Sequence, residues 1–246
     1  MKRLLDIGPL LVLAVLWEAS VRLHLVSADL LPPLSAVLKA WWQLAFDPEF
    51  WHSAGASLHR GIAGLALAVA VGGVLGIAMA WWRPVNALIS PLVEALYPMP
   101  KSALIPVTAL WLGFGDGSKI LLIFLGCMLP VTLGAFNGAR ASEQALVWSA
   151  RSMGASRLAV LRDVVLPSAL PELLNGIRTA LALMFVLLVS AEMIVARSGL
   201  GNLIGFLGEG GVYDSMFAVV LTVAFLGFFA DRLYQLFCHR VLRWRE

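Results

Sequence analysis

Long apolar runs, separated by short polar stretches, dominate the chain. Six of them are candidates for crossing a bilayer: 7–25, 58–80, 86–112, 117–138, 172–195 and 213–237. A spanning helix needs about 20 mostly apolar residues to match the hydrocarbon core. Lipid cannot satisfy exposed backbone N–H and C=O groups, so each run is predicted to be helical. The pattern predicts an all-α membrane protein with six transmembrane helices. Between the first two runs, after Pro32-Pro33, Leu34, Val37, Leu38, Trp41 and Ala45 share one helical face, while Ser35, Lys39 and Gln43 share another. A short helix is predicted there, either lying in the outer interface or packed on the bundle.

The third run departs from the pattern. Pro91, Pro98, Pro100 and Pro106 fall inside it, as do Glu94 and Lys101. Proline removes a helical hydrogen bond and clashes with the preceding turn, so this helix is predicted to kink or break. Irregular backbone and charge at membrane depth are tolerated against protein or a water-filled cavity. Glu94, Pro98, Met99, Pro100, Lys101 and Ser102 are therefore candidates for a translocation pathway. The alternative is that the helix stops at Tyr97 and Lys101 snorkels to the interface. Glu192 and Met193, at the end of the fifth run, are further pathway candidates, with an ion pair or a cap as the alternative for Glu192. Arg178 enters the same run and reads as a snorkelling side chain. Ser198-Gly199-Leu200-Gly201 reads as a turn. The spacings Gly72/Gly76 and Gly134/Gly138 permit close helix approach.

Composition supports the membrane reading. The 246 residues are 60% hydrophobic and only 13% charged, against about 25% charged in soluble proteins. The net charge is only +3, but its placement carries information. With the N-terminus in the cytoplasm, Lys2, Arg3, Arg83, Arg140, Arg151, Arg157, Arg162, Arg240, Arg243 and Arg245 fall inside, and Arg22, Lys39, Arg60, Lys119 and Arg197 fall outside. This excess places both termini in the cytoplasm by the positive-inside rule. It also removes the need to invoke nucleic acid. Val26-Ser27-Ala28 resembles a cleavage site after charged Lys2 and Arg3, but Glu18 and Arg22 interrupt the stretch, so an uncleaved first span is expected. Cys127 and Cys238 imply no disulfide framework. There is no Walker-type phosphate loop, no Cys/His metal cluster and no nucleophile motif. The chain is thus expected to be no enzyme and to bind no metal or cofactor.

One polar segment lies between the fourth and fifth runs: ARSMGASRLAVLRDVVLPSALP, residues 150–171. Glu143 to Ser152 is compatible with helix, Gly154 breaks it, and Ser156 can cap a second helix. Leu158, Leu161 and Val165 form one stripe of that helix, and Pro167 and Pro171 are expected to end it. Two short helices at a tight turn result, on the cytoplasmic side. They are either an ordinary loop whose arginines orient the chain or a docking surface.

The segment resembles the coupling motif of the permease subunits of binding-protein-dependent ATP-binding cassette (ABC) importers, which reads Glu-Ala-Ala, three residues, Gly, nine residues, Ile, one residue, Leu-Pro. Trp148-Ser149-Ala150 takes the first triplet, Gly154 the glycine, Val164 the isoleucine, and Leu166-Pro167 the end. Trp148 stands where the motif has glutamate. Leu31-Pro32-Pro33, residues 100–106, 111–115 and 118–122, Ala191-Glu192-Met193 and Ser198-Gly199-Leu200-Gly201 are similar to the nitrate, sulfonate and taurine branch. The resemblance covers roughly residues 30–245. It implies a type I ABC importer permease fold with a cytoplasmic coupling helix pair, in a bacterial inner membrane. It implies residues 1–53 as an N-terminal span plus outer helix, and 54–246 as the permease core, with a coupling loop at 140–171. The implied partners are a second permease copy in a homodimer, two cytoplasmic ATP-binding subunits that hold ATP and Mg, a periplasmic solute-binding protein and the lipid bilayer. Ala150, Arg151, Ser152, Met153, Gly154, Ala155, Ser156, Arg157, Leu166 and Pro167 would couple to the ATPase. Met153 and Ala155 would pack there, and Arg151 and Arg157 would pair with acidic groups. The cargo would be a small anion of the sulfonate, taurine or nitrate class, or else an aromatic acid or vitamin precursor. A secondary transporter and a scaffold subunit are the rival readings. The first would need coupling charges in several spans and often inverted repeats.

Overall fold

The computed structural model describes residues 2–27 and 30–245, and its regular elements there are all helical. They run α1 (Lys2–Arg22), α2 (Leu34–Leu44), α3 (Pro48–Trp81) and α4 (Arg83–Leu96). A 3-10 turn (Lys101–Leu104) then leads into α5 (Ile105–Leu112). There follow α6 (Asp116–Arg140), α7 (Gln144–Ser152), α8 (Arg157–Val160), α9 (Leu166–Val195), α10 (Leu200–Glu209) and α11 (Tyr213–Val241). Four helical lengths among the described residues are long and apolar enough to cross a membrane: Pro48–Trp81, Asp116–Arg140, Arg157–Val195 and Tyr213–Val241. They correspond to the second, fourth, fifth and sixth runs. Ala28, on which the cleavage-site reading turns, lies outside the described residues.

The third run breaks at its prolines. Helix α4 ends at Leu96, the chain turns through an extended Pro100, and helix resumes at Lys101. Helix α3 begins earlier than its apolar run because Asp47 caps it, Oδ1 accepting the Glu49 N–H at 2.9 Å. The division drawn between residues 53 and 54 therefore falls inside a helix. Of the two readings of α2, the structure shows packing on the bundle. Val37 and Ala40 are buried with Ala218 of α11, and Trp41 Nε1 donates to Thr222 Oγ1 at 2.9 Å.

The fifth helix differs most from expectation. Pro167 and Pro171 do not end it; both lie inside a continuous helical length from Arg157 to Val195. A wide π turn over Leu161–Val165 precedes Pro167, in which the Leu166 N–H bonds to the Leu161 carbonyl, five residues back, and Pro171 lies within α9. Widening the turn just before Pro167 relieves the clash between the proline ring and the preceding turn that would break an α-helix.

The core is a slab of α3, α6 and α9 packed at backbone distance. A β-carbon on Gly72 of α3 would lie 2.8 Å from the Met128 carbonyl oxygen of α6. One on Gly134 of α6 would lie 2.6 Å from that of Glu172 in α9. Between lipid-bathed helices the attraction comes from close van der Waals contact, and small residues allow it. Ala68, Ile105, Leu122, Val131, Ala180 and Leu187 fill the space between these contacts.

Candidate functional site

At one end of the slab, α7 and α8 meet in a hairpin. Helix α7 closes in a Schellman arrangement: the Gly154 N–H bonds to the Arg151 carbonyl at 2.9 Å, and the Ala155 N–H to that of Ala150 at 3.0 Å. Gly154 has φ +86°, a left-handed conformation that glycine adopts without β-carbon strain. Space is not the constraint there, since no atom lies within 4 Å of a β-carbon built on it. Ser156 then caps α8, its Oγ accepting the Ala159 N–H at 3.2 Å.

The hairpin is two-faced. Val147, Ala150, Ala155 and Leu161 pack inward on buried Ala139, Val160 and Val165, fixing the hairpin to α6 and α9. Arg151, Ser152, Met153, Gly154, Ser156 and Arg157 are exposed, Met153 at 79%. Ala155 is half-buried, packed on its own subunit's cluster. Trp148 is exposed beside the hairpin, as are Leu158, Leu166 and Pro167.

At the opposite end of the slab lies a buried charge network. Arg60 of α3 donates from Nη1 to Glu192 Oε1 at 2.6 Å and from Nε to Asp116 Oδ1, at the start of α6, at 2.7 Å. It also donates to the Ser198 carbonyl at 2.7 Å and to Ser198 Oγ at 2.9 Å. Glu192 is wholly buried. Its Oε2 accepts from Ser57 Oγ at 2.7 Å and from the Gly201 N–H at 3.0 Å. The turn at Ser198–Gly201 folds tightly over this carboxylate: Gly199 has φ +116°, and a β-carbon on it would collide with the Glu192 carboxyl. Lys119 is also buried, its Nζ donating to the carbonyls of Phe114, Gly115 and Val195. The start of α6 and the end of α9 are thus tied by charge to α3. Arg60 and Lys119, counted by sequence among the outer-side charges, are both buried. A small and polar helical face (Ser53, Ser57, Arg60, Gly61, Gly64), all buried in α3, was the available signal.

The broken third run brings Lys101 into a cap. Its Nζ donates to the carbonyls of Leu96 and Met99, satisfying the open C-terminal end of α4. Glu94, Pro98, Pro100 and Ser102 are exposed along this stretch and Met99 is half-buried; Met193 is exposed at the far end of α9. Near Lys101 lie Gly126 and Leu187, and the Lys101 β-carbon would sit 3.6 Å from one built on Gly126. Arg178, expected to snorkel, is instead paired, donating from Nε and Nη2 to Asp231 of α11 at 2.7 and 3.0 Å. Among the described residues no group of His, Cys, Asp and Glu could hold a metal.

A family model described as the inner membrane component of binding-protein-dependent transport systems matches residues 72–243. The taurine transport system permease protein TauC of Escherichia coli (strain K12) is 36% identical over 245 residues, covering 98% of this chain and 89% of that protein. The putative aliphatic sulfonates transport permease protein SsuC of the same strain is 32% identical, covering 94% and 88%. The riboflavin transport system permease protein RibX of Chloroflexus aurantiacus is 32% identical, covering 96% and 88%. Among solved structures, an inward-facing form of the MetNI methionine ABC transporter superposes with a TM-score of 0.65 at 22% identity. It covers 80% of this chain and 97% of that one.

Proposed function

Because the chain belongs to the family of inner membrane components of binding-protein-dependent transport systems, we propose a role for each end of its slab. Family membership makes it a multi-pass inner membrane permease of an ABC importer, a transport subunit and not an enzyme, that works with an ATPase and a binding protein. We read six spans, with α1 as the first and the broken α4–α5 length as the third. Both termini then face the cytoplasm, as the arginine bias favours. Two copies pair as a homodimer and dock two ATPase subunits.

The observation that carries the mechanism is the two-faced hairpin. Its inner face is packed on α6 and α9, and its outer face presents Met153 and the arginines. A rigid element of this kind transmits force from a partner. Met153 packs in a groove of the ATPase, with Arg151 and Arg157 on acidic groups beside it. Closure of the ATPases on ATP swings the helices from inward-facing to outward-facing. The cargo is a small organic anion of the sulfonate class, supported by relatives whose names state taurine and aliphatic sulfonates. A vitamin-like solute is the second reading, supported by the riboflavin permease. Lys101 has its ammonium engaged by the carbonyls of Leu96 and Met99, and Glu192 is enclosed. Cargo contact along the broken segment therefore rests on Glu94, Pro98, Met99, Pro100 and Ser102, and beyond it on Met193.

Replacing Gly154 with Asp tests the assignment in reconstituted vesicles with ATPase and binding protein. Uptake should vanish and ATP hydrolysis should no longer respond to loaded binding protein, while the variant stays membrane-inserted. Normal uptake by that variant would remove the hairpin from the mechanism. Uptake driven by an ion gradient without ATP would replace the importer with a secondary carrier.

A further inference from the structure

Behind the hairpin is a cleft of about 530 Å³, lined by Arg83, Asn86, Arg140, Ser142 and Arg151 among others. A second cleft of about 780 Å³ shares Trp81, Arg83 and Arg151 with it and adds Trp82 and Arg157. Arg83, Arg140 and Arg151 border the first space, Arg83, Arg151 and Arg157 the second, and no carboxylate lines either. None of the four has a salt bridge among the described residues. Arg140 is held at the wall by the Phe136 ring, 5.3 Å from its centroid. Like charges at this density repel, and an anion between them removes the repulsion.

We propose that this cleft holds the phosphate of an anionic phospholipid headgroup. Its walls are the ends of membrane helices: the C-termini of α3 and α6 and the N-terminus of α4. Trp81 and Trp82 mark this level as the headgroup belt, where tryptophan concentrates. Basic pockets between membrane helices at that level take anionic headgroups. Asn86 and Ser142 add neutral hydrogen-bonding groups, and Met79 and Phe136 make an apolar floor suited to the glycerol end of the lipid. A headgroup held by Arg83 and Arg140 would bridge α4 and α6 behind the hairpin and leave Arg151 and Arg157 to its outward face.

The test is native mass spectrometry of the purified permease titrated separately with phosphatidylglycerol and phosphatidylcholine. The wild type should retain phosphatidylglycerol preferentially. Arg83→Gln combined with Arg140→Gln should weaken that retention about tenfold or more, given roughly one kilocalorie per mole for each basic residue near a charged surface. Arg83→Lys with Arg140→Lys should keep most of it, which guards against misfolding of the glutamine pair. Arg243→Gln, outside the cleft, should change nothing. Equal retention of the two lipids by the wild type, or undiminished phosphatidylglycerol on a folded glutamine pair, overturns the proposal. So does full displacement by millimolar inorganic phosphate, which would make the site one for free phosphate. Loss of co-purifying ATPase with lipid retention unchanged would make the arginines a protein-docking surface instead. Lipid retention is read without ATP or cargo, so its failure is distinguishable from failure of the transport assignment.

Discussion

Arg60 and Glu192 form the buried ion pair at the centre of the network at the far end of the slab. Both are buried, and every charged-group contact they make is to another helix or to the Ser198–Gly201 turn. Removing Arg60 strands the enclosed Glu192, at a cost of about 3–5 kcal/mol, whereas removing Glu192 leaves Arg60 the half-exposed Asp116. Arg60→Ala and Glu192→Ala should each lower the unfolding temperature of the detergent-solubilised protein markedly. The double variant Arg60→Met with Glu192→Leu should recover most of the loss, because apolar replacement of both partners removes the desolvation penalty. If the double variant is as unstable as the singles, the network's worth lies in its hydrogen bonds to Ser57, Ser198 and Gly201. Glu192 was visible in the sequence as an odd carboxylate at the end of an apolar run. Its partner was not, because Arg60 lies 132 residues away and resembles any loop-proximal arginine until the helices are packed.

At the scale of elements, the sequence announced where helices lie better than where they end. The apolar runs located α3, α6, α9 and α11, and the prolines of the third run located its break. The prolines at 167 and 171 misled, because a π turn ahead of Pro167 can absorb what an α-helix cannot, Pro171 lies within α9, and nothing in composition marks either outcome. That turn sets the rotation of the hairpin relative to α9. Deleting Val164 would remove the extra residue of the π turn, restore α-helical pitch and reset the hairpin against α9. Uptake should fall to background while the unfolding temperature changes little, since the α6–α9 contact lies beyond the bulge. The glycines give a sharper contrast. Gly72→Ala should lower the yield of folded protein, because the new methyl group meets the backbone of α6. Gly73→Ala should be tolerated, because its nearest neighbour is a flexible Leu173 methyl at 3.9 Å. Size-exclusion profiles of the two variants read this directly.

For the whole molecule, the hairpin and the charge network stand at opposite ends of one helical length, Arg157 to Val195. At about 1.5 Å per residue, Arg157 and Glu192 are some 50 Å apart along it. The proposed orientation therefore puts them on opposite membrane faces. In a background with Cys238 replaced, since Cys127 is buried, Met153→Cys should react with an impermeant thiol reagent only in inverted vesicles. Trp51→Cys should react only in intact cells. The reverse pattern would invert the topology and detach the hairpin from a cytoplasmic ATPase. The same long separation in sequence has a consequence for how the protein is made. Ribosomes add roughly 5–20 residues per second, so Arg60 is made about 7–26 s before its buried partner Glu192 leaves the ribosome. During that interval the only acid for Arg60 is the half-exposed Asp116, 56 residues on, and its charge is only partly compensated. Chains interrupted before residue 192 should be recognised by membrane quality-control proteases through that charge, making the completed ion pair a checkpoint on synthesis as well as a fastening in the finished protein.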